Sequence, residues 1–162
     1  MSSSSPDPLR ALLQSSLNWQ DAHVNFDGAT ADLPAELRGA RVPGILWSPW
    51  QLLEHMRRVQ NDIVDFCVNS AYEEKVFPDD YWPPSIEPPS ATAWDESIAA
   101  FRADLAKAQE IAADASIDLS AKIPHGTGQT YARELVLIVD HTAYHVGQLV
   151  MLRRALGAWT AS

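Results

Sequence analysis

Two histidines, His141 and His145, stand four residues apart in the segment Asp140-His-Thr-Ala-Tyr-His-Val-Gly-Gln148. An α-helix turns once every ~3.6 residues, so positions i and i+4 share a face. Two imidazoles placed in this way can aim their nitrogens at one ion, and imidazole is the commonest protein metal ligand. A third histidine, His55, falls between Leu52 and Val59 on another apolar stripe. Each imidazole carries a donor and an acceptor, so burying three of them without partners is costly. One divalent ion shared by all three removes that cost. Three protein ligands leave coordination positions for water or substrate, as in catalytic metal sites; structural zinc sites are closed by four. Such a centre can polarise a carbonyl or lower the pKa of a bound water or thiol. The competing reading makes the histidines ordinary hydrogen-bonded core residues. The zinc-protease pattern His-Glu-x-x-His is absent, because Thr142 follows His141.

Several residues could support such a centre. Tyr144 and Gln148 lie one turn from the histidines on nearly the same face and could hold an imidazole or position a substrate. His23 could act near the metal as a proton shuttle or extra ligand, or be a partly buried or surface residue. His125, in a glycine-flanked loop, could line the entrance or bond local backbone. Glu54 and Asp140 point about 100° away from their histidine neighbours and read as surface charges. Gly147 reads as a point of close helix approach. Cys67 is rotated by about 120° from His55 and reads as a buried small hydrophobe. Trp47, Trp50, Trp82 and Trp94 either wall a pocket or pack a loop onto the helices.

The elements that must carry these residues read as helices. A first helix is expected from Pro6–Pro8 to about Leu33, ended by Pro34. A second starts at Ser48-Pro49, with serine as cap and proline in the first turn, and stops near Asn69. Residues 71 to 90 hold five prolines among interleaved aromatics and read as a packed wrap, since long loops in compact domains are often functional. A third helix is expected over about Thr92 to Ala115 and a fourth over about Thr130 to Leu156, with Gly157 as its stop. No stretch alternates with a period of two. The expectation is one all-α domain over residues 6–162, a bundle of four helices, behind a mobile tail at residues 1–5.

The chain has 162 residues, 46% of them apolar, which fits one folded domain. Its formal net charge of -9 argues against a nucleic-acid partner and against docking on an anionic membrane. The one cysteine excludes an intramolecular disulfide and a cysteine-based zinc site. The opening Met-Ser-Ser-Ser-Ser-Pro has no signal-peptide pattern, and no run of about 18 apolar residues is evident. A soluble cytoplasmic protein is expected.

The motifs taken in order resemble a known family. They are Ser48-Pro-Trp-Gln-Leu-Leu-Glu-His55, Asp80-Tyr-Trp-Pro83, His125-Gly-Thr-Gly-Gln-Thr130, Asp140 to Gln148, and Leu152-Arg-Arg-Ala-Leu-Gly157. Together they resemble the DinB-like superfamily, with the closest likeness to its DinB_2 branch, over nearly the whole chain after the serine tail. The resemblance implies a four-helix bundle of up-down-down-up topology. It also implies a three-histidine site for a divalent metal, most often nickel or zinc, which maps onto His55, His141 and His145. It further implies a homodimer, and relatives that are thiol-dependent transferases or isomerases using low-molecular-weight thiols.

The leading functional expectation is a metal-dependent enzyme that activates a water or a low-molecular-weight thiol against a small electrophile, as a thiol transferase or a hydrolase. The alternative is a non-catalytic protein that binds a metal or small molecule in stress. A helical interaction module with core histidines is the third. Three imidazoles suit Zn, Ni, Cu or Fe, and availability decides among them.

Overall fold

A computed structural model describes residues 7–159, so the expected tail at residues 1–5 lies outside the described residues. The described chain is all-helical: α1 (Pro8–Ser16), α2 (Phe26–Thr30), α3 (Pro49–Val68), α4 (Ala93–Ala113) and α5 (Tyr131–Ala155), with a short 3-10 turn at Ala35–Leu37. Among the described residues there is no strand, only an isolated bridge between Lys122 and Thr130. α3 packs against both α4 and α5, α1 lies against α4 and α5, and α2 packs on α5.

Local chemistry sets most helix ends. Ser48 caps α3 by accepting from the Gln51 N–H, and the Gln51 side chain accepts from the Ser48 N–H in return. Thr130 caps α5 through the Arg133 N–H. Gly157 at φ +70 takes the left-handed conformation that ends α5. The C-terminal end of α4 is held from outside. The Arg10 guanidinium donates to the carbonyls of Ala112, Asp114 and Ile117, each at 2.7 Å.

The expected first helix is corrected: it is two helices. α1 ends at Leu17, and α2 begins after Asn25, which accepts from the Gly28 N–H as its cap. Asn25 also donates to the Asn18 side chain at 2.8 Å. Asparagine competes with helix for backbone and side-chain hydrogen bonds, so the pair brackets an excursion that apolar spacing alone conceals.

Two buried clusters fill the interior. One gathers Phe26, Leu52, Met56, Trp94, Phe101 and Leu149; the other gathers Leu13, Ile63, Val64, Ile111, Leu135 and Ile138. On α5 the first cluster uses Val146 and residues after it, the second uses Ile138 and residues before it. His141 and His145 stand between them. By length and mean hydropathy (1.4) α5 alone would suffice to cross a membrane, although Arg133, Glu134, Asp140 and the two histidines interrupt its apolar run. Its Leu135, Ile138, Val146, Leu149 and Leu152 serve these two clusters instead.

Candidate metal centre

His55 comes from α3, whose buried face also carries Leu52 and Met56; His141 and His145 come from the facing stretch of α5. The structure brings these three together and leaves the other two histidines elsewhere. One nitrogen from each ring lies within 4.8 Å of the other two. The His55 and His141 Nε2 atoms are 3.1 Å apart. Two nitrogens on one tetrahedral ion with bonds of ~2.0–2.1 Å would be separated by roughly 3.3 Å.

The surrounding hydrogen bonds fix the tautomers. His55 Nδ1 donates to the Tyr81 carbonyl at 3.0 Å, and His145 Nδ1 donates to the Gln148 side-chain oxygen at 2.7 Å. Each neutral ring then keeps its Nε2 as a lone pair. Burial pushes the His55 imidazolium down to about 4 and, with the neighbouring rings, His141 down to about 3; burial also lowers His145. Neutral imidazole is the ligating form. A lone pair on His55 Nε2 facing a nitrogen at 3.1 Å needs either a proton or a cation between them. The donor set therefore fits a divalent ion.

Aromatic rings close the site on one side. Trp82 stacks on His55 with centroids 3.7 Å apart and planes 5° from parallel, and Trp47 stacks on Trp82 at 3.8 Å. The wrap is anchored by Arg58, which donates to the carbonyls of Asp80 and Trp82. Trp50 and Trp94 lie in the core instead. The four tryptophans thus divide between site wall and packing. The Tyr144 ring is 4.9 Å from His145 and is 63% exposed, so it stands at the rim.

Other expected residues fall elsewhere. Exposed His23 bonds the Val24 carbonyl and borders an apolar cavity of about 130 Å³ beside Phe26 and Phe101. His125 donates through Nε2 to the Phe66 carbonyl, outside the three-histidine group. Asp140 is exposed, as expected. Glu54 is corrected: it is buried, and it accepts from Arg57, Arg58 and Ser97. Two arginines one turn away on α3 make this burial possible. Gly147 is also corrected, since a Cβ placed there would meet nothing within 4 Å. Sequence reasoning missed the Tyr81 carbonyl, because a backbone acceptor leaves no side-chain signature.

The fold and site define an all-helical protein with a three-histidine centre between two long helices. The mycothiol-S-transferase family matches residues 12–158, and the chain belongs to that family, within the DinB-like superfamily. No curated protein and no solved structure matches the chain.

Proposed function

We propose that this protein is a metal-dependent thiol transferase, with mycothiol as the thiol. The observation that carries the reading is the convergence of one nitrogen each from His55, His141 and His145 within 4.8 Å, with His55 and His145 held as neutral rings by hydrogen bonds at Nδ1. In this reading His55, His141 and His145 hold a divalent ion, zinc or nickel. Bound there, the ion would favour ionisation of the thiol and so supply the attacking thiolate at neutral pH. The sulfur forms a bond to an electrophilic carbon, the leaving group departs with its electron pair, and the thiol proton passes to solvent. Tyr81 and Gln148 hold two of the rings in orientation. Trp82 covers one face of His55 and keeps water from it. Tyr144 stands where an incoming substrate would pass.

The rest of the reading follows the family. α1, α4, α3 and α5 contact one another in a closed ring; the pairs Glu54–Ser97 and Asn61–Asp104 run α3 parallel to α4, and Arg10 at the start of α1 meets the end of α4, which supports a four-helix bundle of up-down-down-up topology in a single domain. The protein works as a homodimer on a small molecule, in the cytoplasm where thiols stay reduced.

The test is metal content by elemental mass spectrometry, joined to conjugation of 1-chloro-2,4-dinitrobenzene with mycothiol. The expected result is about one equivalent of divalent metal per chain and thiol-dependent turnover, both lost in His141→Ala. Wild-type protein that is metal-free and takes up neither zinc nor nickel at neutral pH would overturn the reading. Metal-loaded protein that binds mycothiol but turns over no electrophile would replace it with a binding role.

A further inference from the structure

The longest helix, α5, is incompletely covered by the rest of the chain. An 18-residue stretch of it reaches a mean hydropathy of 1.4, yet only 33% of that stretch is buried. The uncovered face runs through Val136, Asp140, Tyr144, Gly147, Met151 and Arg154, all exposed and spaced by three or four residues. The apolar bodies of Val136, Tyr144 and Met151 are each more than half open to solvent.

Gly147 lies at the centre of this face. A glycine inside a helix is destabilising relative to alanine, and no neighbour within the chain requires it, since a Cβ there would meet nothing within 4 Å. Asp140 stands seven residues before it and Arg154 seven residues after it. Seven residues come close to two full turns, so both side chains share its face, each about 10 Å away along the axis. Neither has an ion-pair partner among the described residues. Arg133 is the other exposed charge on α5, so this face has no acidic excess in a chain of net charge -9.

A second copy of this chain, laid antiparallel across Gly147, accounts for each of these features. A two-fold axis between the two glycines sets Asp140 of each protomer opposite Arg154 of its partner, and Tyr144 beside Met151. The helices can approach closely because neither carries a side chain at the crossing. A parallel pair would instead set Asp140 against Asp140 and Arg154 against Arg154. A lipid surface would strand Asp140 in apolar surroundings and gives no reason for the glycine. We propose that this face of α5 is the homodimer interface, with the two helices antiparallel about Gly147. The inference rests on the homodimer of the reading above, and on neither its metal nor its thiol. Because the Tyr144 ring lies 4.9 Å from His145, each protomer then borders the entrance to the three-histidine centre of the other.

The experiment is sedimentation velocity of the full chain across a wide range of concentration, with circular dichroism to check the fold of each variant. The wild type is expected to sediment as a dimer. Gly147→Leu meets no neighbour at its Cβ within its own chain and is expected to weaken the dimer at least tenfold. Asp140→Arg and Arg154→Asp each bring like charges together at both ends of the helix pair, and each is expected to weaken it at least threefold. The double variant restores both pairs in reverse and is expected to return to within threefold of wild type, which damage to the fold could not produce. A wild type that stays monomeric at every concentration would overturn the inference together with the homodimer. A dimer untouched by Gly147→Leu, or a double variant as weak as the single ones, would overturn the interface while the homodimer stands on another face. Wild type that binds phosphatidylcholine vesicles in place of self-association would assign the face to lipid and overturn the proposal as well.

Discussion

Single atoms decide what this centre can hold. The Gln148 side-chain oxygen fixes which nitrogen of His145 is free, at a cost of one hydrogen bond of 2.7 Å. Partners of this kind are typically worth about 10- to 100-fold in metal affinity. Gln148→Leu should therefore weaken zinc binding by about that factor, whereas Asp140→Asn, an exposed change beside His141, should leave it within about twofold. Competition against a chromophoric chelator reads both; equal affinities in wild type and Gln148→Leu would remove Gln148 from the site. Cys67 illustrates the opposite case, a reactive group silenced by position. Burial, with the nearby Glu134 charge, pushes its thiol from 9.0 up to about 12. The folded state thus binds more protons than the unfolded state between those values. The associated stability is present below about pH 9 and is lost as pH rises towards 12. Urea titrations across that window should show a steeper decline for wild type than for Cys67→Ala. Identical slopes would mean that the thiol ionises freely in the folded protein.

Elements are specified with uneven clarity. α3 carries its own start signal, since Ser48, Pro49 and Gln51 complete a reciprocal cap within four residues. Ser48→Ala should cost about 1 kcal/mol. Thr92, before α4, makes no side-chain cap bond, so Thr92→Ala should stay within about 0.5 kcal/mol. Denaturant midpoints compare the two, and equal losses would contradict the capping geometry. The same contrast explains what the sequence discloses. Ser48-Pro49 and Thr130 mark helix starts because capping is a local act, readable within one turn. His55, His141 and His145 are legible because each breaks an apolar stripe, and a polar group on a buried stripe needs a partner. The break between α1 and α2 is hidden, because Leu13, Leu17 and Val24 keep helical spacing while the Asn18–Asn25 bond works against it. The burial of Glu54 is hidden too. Its arginines are local, but Ser97, which completes its shell, lies 43 residues away.

At the scale of the whole molecule, the centre ties together parts of the chain far apart in sequence. His55 and His141 are separated by 86 positions, on two helices that pack along each other. The two apolar clusters meet the three imidazoles where α3 faces α5, so the folded state brings the rings together and the unfolded chain scatters them. An ion that binds only the folded state stabilises it by RT ln(1 + [L]/Kd), about 2.7 kcal/mol when the free ion is 100 times Kd. For a chain of this size each kcal/mol moves the melting temperature by roughly 2–4 °C. Zinc or nickel at that excess should therefore raise the melting temperature of chelator-treated wild type by roughly 5–10 °C. The net charge of -9 attracts cations to the surface in general. His55→Ala and His145→Ala separate that background from the site, because they keep the surface charge and lose the ligands. Both variants should show no more than the small shift that magnesium gives wild type. If zinc and nickel shift wild type and variants alike, the stabilisation belongs to the acidic surface. His55 and His141 would then be joined by a proton on their 3.1 Å contact, and the three imidazoles would serve the packing of α3 on α5 alone.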